Sequence, residues 1–195
     1  MMRAWPILGV ALLGAGCITH DVVSLQPLAA EEQAIALPEI VGTWATEEES
    51  PTVLRFEPLE DKAYRMFLFE DGKEREGSFA MAFTSIGDAL YWDLAALPLE
   101  GQDDFREAHF LPIHSFARVT LDEDRLEVAF LDSDRVKEAL EDGRLDVAQS
   151  ESSGRRVLTG STDDLRRFVE QCGSEGAFGE AEIFIRQAKS ERVLP

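Results

Sequence analysis

The side chains able to do chemistry are few, and their spacing keeps them apart. The 195 residues include three histidines and two cysteines. His20 stands alone in a polar N-terminal stretch, where a histidine is ordinarily solvent-exposed filler. His109 and His114 are five positions apart on what reads as a strand, so they point to opposite faces and do not chelate one metal ion locally. His114, Phe116 and Arg118 alternate onto one face, which makes His114 and Arg118 a candidate polar cluster at a wall or beneath a helix. The plainer reading is a histidine and an arginine hydrogen-bonded at a seam. Asp103 and Asp104 are adjacent carboxylates, but on an acidic loop such a pair is ordinarily solvated. The sequence has no Gly-x-Ser-x-Gly elbow, no phosphate-binding loop and no metal-ligand pair of cysteines. Cys172 falls on the apolar face of a helix and reads as a buried, inert thiol. No catalytic residue, metal or cofactor is expected from these patterns, and an enzyme ranks last among the function classes.

Cys17 has the most specific surroundings. Met1-Met2-Arg3 is a positive start, Ala4 to Leu13 is apolar and uncharged, and Gly14-Ala15-Gly16 places small residues directly before the cysteine. This stretch resembles a bacterial lipoprotein signal peptide with its lipobox. The resemblance implies that residues 1–16 are removed, that Cys17 is lipidated, and that residues 17–37 hold the lipidated cysteine and a tether. Gly14 departs from the leucine usual three places before the cysteine; Leu13 lies one place further back. The apolar run falls well short of the ~20 residues a spanning helix needs. Ile18 is not the aspartate that retains such proteins at the inner membrane of enteric bacteria, so the resemblance implies an outer-membrane address in a Gram-negative cell.

Charge limits the partners. Asp and Glu number 38 against 19 Lys and Arg, a formal charge of -19. Phosphate backbones and anionic headgroups are repelled by such a surface, so nucleic acid is not an expected partner and the lipid must supply the membrane attachment. With 45% hydrophobic residues the chain has enough apolar material for one sizeable core.

Those side chains must be positioned by strands. Period-2 alternation runs through residues 41–46, 52–59, 63–70, 77–85, 89–95, 110–121, 125–131 and 181–187, separated by turn sequences such as Asp71-Gly72 and Ile86-Gly87-Asp88. The long sixth strand is expected to bend at Pro112. Residues 63–70 are apolar on both faces, so something must cover the second. Between the seventh and eighth strands the pattern turns helical: Ser133 is a candidate cap for a helix ending at Gly143, and Ser161-x-x-Asp164 precedes an i, i+3, i+4, i+7 stripe of Leu165, Phe168, Val169 and Cys172. A short helix is also expected around residues 29–35. The fold class is therefore mainly β: an eight-stranded antiparallel up-and-down barrel over residues 38–195, with two short helices inserted before the last strand.

Gly42-Thr43-Trp44 on the first strand, the meander, and Arg186 on the last strand resemble the lipocalin superfamily. The resemblance implies that Trp44 plugs the closed end and that Arg186 lies across its ring as a barrel-closing pair. No Thr-Asp-Tyr-like second motif is present, and two helices exceed the family's one. Residues 113–178 also loosely resemble uncharacterised bacterial lipoproteins, with no function to transfer. An eight-stranded barrel is either filled by its side chains or holds one small molecule. Phe56, Tyr64, Met66, Phe79, Met81 and Trp92 are the candidate cavity lining, and their bulk weighs against much space. Two readings lead: an envelope lipoprotein binding a small apolar ligand, or a non-enzymatic module docking on another envelope protein.

Overall fold

In the computed structural model the described residues are 22–60, 62–70, 72–74, 77–98, 101, 109–152 and 154–188. Cys17, His20, Asp103 and Asp104 lie outside them, as does the whole signal-like stretch. The strands are β1 (Val22–Ser24), β2 (Gly42–Ala45), β3 (Val53–Glu60), β4 (Ala63–Glu70), β5 (Lys73–Glu74), β6 (Phe79–Ile86), β7 (Ala89–Ala96), β8 (His114–Asp122), β9 (Arg125–Phe130), β10 (Gln149–Ser152), β11 (Arg155–Leu158) and β12 (Glu182–Arg186). Two helices, α1 (Ser133–Glu141) and α2 (Thr162–Ser174), fall between β9 and β12. The ladder order β8-β7-β6-β4-β3-β2-β12-β9, with β9 returning to β8, closes eight antiparallel strands into an up-and-down barrel. These are the eight strands the alternation predicts.

Alternation makes two cores. Inward positions fill the barrel with Trp44, Leu54, Phe56, Tyr64, Met66, Met81, Phe83, Trp92, Val128 and Phe184. Outward positions Tyr91, Phe116 and Ala129 form a second core with Val136 of α1 and Leu165, Phe168, Val169 and Cys172 of α2. Small Ala117 turns inward while Phe116 meets the helices, so bulk is distributed to whichever side has depth to fill. Cys172 is buried and free, and burial pushes its thiol up to about 12.

Local signals set the helices. The α2 cap is a capping box: the Ser161 hydroxyl accepts from the Asp164 N–H, and the Asp164 carboxylate accepts from the Ser161 N–H. At α1 the cap is Asp132, whose carboxylate accepts from the Arg135 N–H at 3.0 Å; the expected cap Ser133 is instead the first helical residue. Asp and Ser both cap well, and a one-residue shift between neighbours is invisible to spacing. Gly143 follows α1 with φ 70°, a left-handed stop suited to glycine.

Three expectations change. β8 starts at His114, after Pro112, because the proline has no N–H for the ladder; His109 therefore lies outside the strand, and the opposite-face argument does not apply to it. The helix expected over 29–35 is a single 3-10 turn, Glu31–Gln33. The stretch expected as tether joins the fold from Val22 onward: β1 pairs in parallel with β11, Ser24 sits opposite His114, and Leu28 is fully buried in the second core. β1, β11 and β10 thus form a small side sheet attached to the start of β8.

The segment after β1 becomes the closed end. Ile35 pairs with Phe83 where β4 no longer accompanies β6, and the Leu37 N–H donates to the Tyr64 hydroxyl at 2.7 Å. The 3-10 turn Pro38–Ile40 then crosses the barrel end, and the Ile40 carbonyl accepts from the Trp44 indole N–H at 2.8 Å. Trp44 is fully buried. Replacing it with Ala is expected to cost about 3–5 kcal/mol by opening a cavity under this strap; calorimetric or denaturant unfolding within 1 kcal/mol of wild type, on the order of measurement error, would contradict the plug.

Candidate functional site

The best-defined polar constellation is at the closed end. The Arg186 guanidinium lies over the Trp44 ring with 4.1 Å between its central carbon and the ring centroid. It also donates to the backbone carbonyls of Val41, at 3.1 Å, and Glu39, and pairs with Asp124 at 3.1 Å. Register explains the meeting, since Arg186 is directly opposite Trp44 on neighbouring strands. Gly42 makes it sterically feasible: its φ is 135°, and a Cβ there would sit 3.2 Å from an Arg186 nitrogen. Nε, Nη1 and Nη2 of this arginine each have a partner within the chain, so the Trp44–Arg186 contact joins strand to strand and strand to strap.

Along the interior, all six candidate lining residues belong to the barrel core. Phe56, Tyr64, Met66, Met81 and Trp92 are at most 5% exposed, and Phe79 is partly buried at the edge of the cluster. Tyr64 meets Phe83 edge-on at 5.8 Å and Trp92 meets Phe130 at 5.5 Å. Side chains this well covered fill the middle of the barrel against one another. One polar atom is left over: the buried Trp92 indole N–H has no hydrogen-bond partner among the described residues, whereas that of Trp44 has one.

The opposite end is less covered. Leu68, Phe79 and Phe130 are partly buried there, and Glu182 takes an inward position opposite Val128. Burial holds the Glu182 carboxyl above the ordinary glutamate range, and the carboxylates of Glu48 and Glu70 push the same way. Among the described residues no group of three or more His, Cys, Asp or Glu side chains is arranged to hold a metal ion.

His114 and Arg118 do share an outward face, but each has its own partner. His114 Nδ1 is 2.6 Å from Asp93 Oδ1, and the other Asp93 oxygen accepts from the Leu28 N–H at 2.7 Å. Arg118 lies 5.4 Å from the Phe178 ring centroid, toward α2. Asp93 is the member sequence reasoning missed; the available signal was an acid beside Tyr91 on a strand face that helices must cover. A carboxylate on Nδ1 is the geometry that orients a catalytic histidine. Ser24, opposite His114 in register, is the nearest hydroxyl by topology. It is fully buried and turned to its own loop, donating to the Gln26 carbonyl at 2.8 Å and accepting from the Gln26 N–H at 3.1 Å. The Asp93–His114 pair is thus a staple: it fastens the chain after β1 to the barrel wall.

A shallow cleft between the β6–β7 turn and α2 contains Asp163, Arg166, Arg167 and Glu170. Its cations are already used: Arg166 donates to Leu28 O, Thr84 Oγ1 and Ser85 O, and Arg167 pairs with Asp164.

The remaining surface of note is the outer wall of β12, β2, β3 and β4, which faces away from the helices. Ile185, Ala45, Val53 and Phe69 form one continuous cross-strand row there, with Thr43, Arg55 and Phe67 in the next. Arg55 covers the two phenylalanines, 4.4 Å from the Phe67 centroid and 5.3 Å from that of Phe69. This guanidinium is what covers the second apolar face of β4. Ile183, beside the row, is 37% exposed. No family model, curated protein or solved structure matches the chain.

Two outcomes follow from these partners. Trp92→Phe removes an unpaired buried N–H while keeping an aromatic ring, so it should change stability by less than about 1 kcal/mol, whereas Trp44→Phe, which orphans the Ile40 carbonyl, should cost about 1–3. For Glu182 the folded pKa is raised, so its stabilising contribution is complete below the unfolded pKa and is lost as pH rises through the folded one. Glu182→Gln should therefore raise the melting temperature at pH 7 and leave it unchanged at acid pH; a lower melting temperature at pH 7 would overturn the assignment.

Proposed function

We propose that this chain is a lipid-anchored protein of the bacterial cell envelope, outer-membrane in a Gram-negative cell, that docks on another envelope component and catalyses no reaction. The observation that carries the docking reading is the packed barrel: with Trp44, Phe56, Phe83, Met81 and Phe184 at most 1% exposed, the middle of the barrel is occupied by its own side chains. Binding is then assigned to the outside. Ile185, Val53 and Phe69 of the row, which are partly exposed, offer apolar area on a strongly acidic molecule, and the arginine over Phe69 can swing to an acidic group of a partner. The anchor rests on the lipobox-like residues before Cys17, and a distant relation to the lipocalin superfamily rests on the stacked Trp44–Arg186 pair.

A second reading, a small apolar ligand at the open end, is favoured by one feature: Leu68, Phe79 and Phe130 are only partly buried there. The acidic groups Glu48, Glu70 and Glu182 near that end disfavour an anionic ligand such as a fatty acid.

A photo-crosslinker at Val53 is expected to give one discrete adduct in cells, lost on Ile185→Asp without loss of folding; the same crosslinker at Ser50 on the acidic loop should give none. Absence of an adduct from Val53 would sink the docking reading. Separately, Cys17→Ser should abolish membrane cofractionation, and mature Cys17→Ser protein that stays with membranes would show that lipid is not the anchor.

A further inference from the structure

Cys17 is close in sequence to the first strand. Val22 is already buried in β1. Only Ile18, Thr19, His20 and Asp21 separate it from Cys17. Five Cα steps span at most ~18 Å even when fully extended. A domain of this size is about 40 Å across. A lipid on Cys17 therefore cannot let the molecule turn any face to the bilayer; it brings one particular place close.

Register identifies that place. β1 and β11 run parallel, with Val22 beside Arg156 and Val23 beside Val157. The N-terminal end of β1 is therefore at the Arg155–Arg156 end of β11, where the β10–β11 hairpin turns. The hairpin is the edge of the side sheet, and Gln149, Ser150, Glu151 and Ser152 are all exposed. Arg155 is exposed and its guanidinium has no ion-pair partner among the described residues. Arg156 is half-buried, opposite Glu151 in register, and donates to the Gln149 side chain. Two consecutive arginines thus stand at the tethered point of a chain whose formal charge is -19.

We infer that the tip of the β10–β11 hairpin rests on the membrane surface, with Arg155 at the level of the lipid phosphates. The inference rests on lipidation at Cys17. The short connection sets the orientation, and Arg155 supplies an attractive contact to anionic headgroups on an otherwise acidic molecule. The outer wall of β12, β2, β3 and β4 is on the far side of the barrel from this sheet, so the same orientation leaves it open to the aqueous space.

The test uses the full-length lipidated protein, purified in detergent and reconstituted into phosphatidylglycerol–phosphatidylcholine vesicles. A fluorophore is attached at Ser152→Cys or, as the distant control, at exposed Ser50→Cys; the buried Cys172 thiol stays unlabelled. Headgroup-nitroxide lipids should quench the label at 152 at least threefold more than the label at 50. Arg155→Glu should at least halve the quenching at 152 on these vesicles, and its folding is checked by an unchanged melting temperature. Equal quenching at both sites, or none at either in vesicle-bound protein, overturns the orientation. Quenching at 152 that ignores Arg155→Glu overturns the phosphate contact. The intact mass of the same sample reports acylation independently, and an unlipidated chain overturns the premise and the inference with it.

Discussion

The contact on which the architecture depends is Arg186 across Trp44. It joins the first barrel strand to the last, and through its hydrogen bonds to Glu39 and Val41 it also holds the strap that covers the barrel end. Without the β12–β2 seam the other strands would form an open sheet with two unpaired edges. The seam is short, with Ile185 opposite Ala45 and Arg186 opposite Trp44. So few ladder positions need help from side chains. A planar cation over an indole, bonded to two carbonyls, supplies that help in a way a lysine could not.

Closure in turn dictates how the apolar residues are divided. Every barrel strand offers two faces, and among the described residues α1 and α2 cover one half of the barrel wall outside and not the other. On the covered half, Tyr91, Phe116 and Ala129 face outward into the helix core. On the uncovered half, outward positions alternate Arg55 with Val53 and Phe67 with Arg65, and Arg55 is folded down over the phenylalanines. The bulk left for the inside includes Trp44, Phe56, Phe83, Trp92 and Phe184, all at most 2% exposed. The proposed docking role rests on that division.

The sequence made the eight barrel strands legible because each alternates over six or more residues or sits between clear turns, and it made α2 legible through its capping box and stripe. The Trp44–Arg186 contact was legible only through family resemblance; nothing in the spacing of residues 44 and 186 says that they meet. The side sheet was hidden for a different reason. β10 is polar at all four positions and β1 has three residues, so neither carries a period; β10 and β11 form a local hairpin, while the β1–β11 pairing joins segments more than a hundred residues apart. For the same reason the segment 22–37, with Pro27 and paired small and acidic residues, looked like tether: its contacts are backbone pairs and single anchors such as Leu28 and Ile35, not a repeating face. At the seam, His114 was visible and Asp93 was not, because a strand neighbour across a ladder has no signature in sequence separation.

The central claim is that the barrel is occupied by its own side chains. Native mass spectrometry of residues 18–195, prepared without detergent, tests it most directly. The account predicts the mass of the polypeptide alone, unchanged after incubation with a mixture of fatty acids and small aromatic compounds. A reproducible additional mass, lost on denaturation, would mean that the barrel holds a ligand and would contradict it.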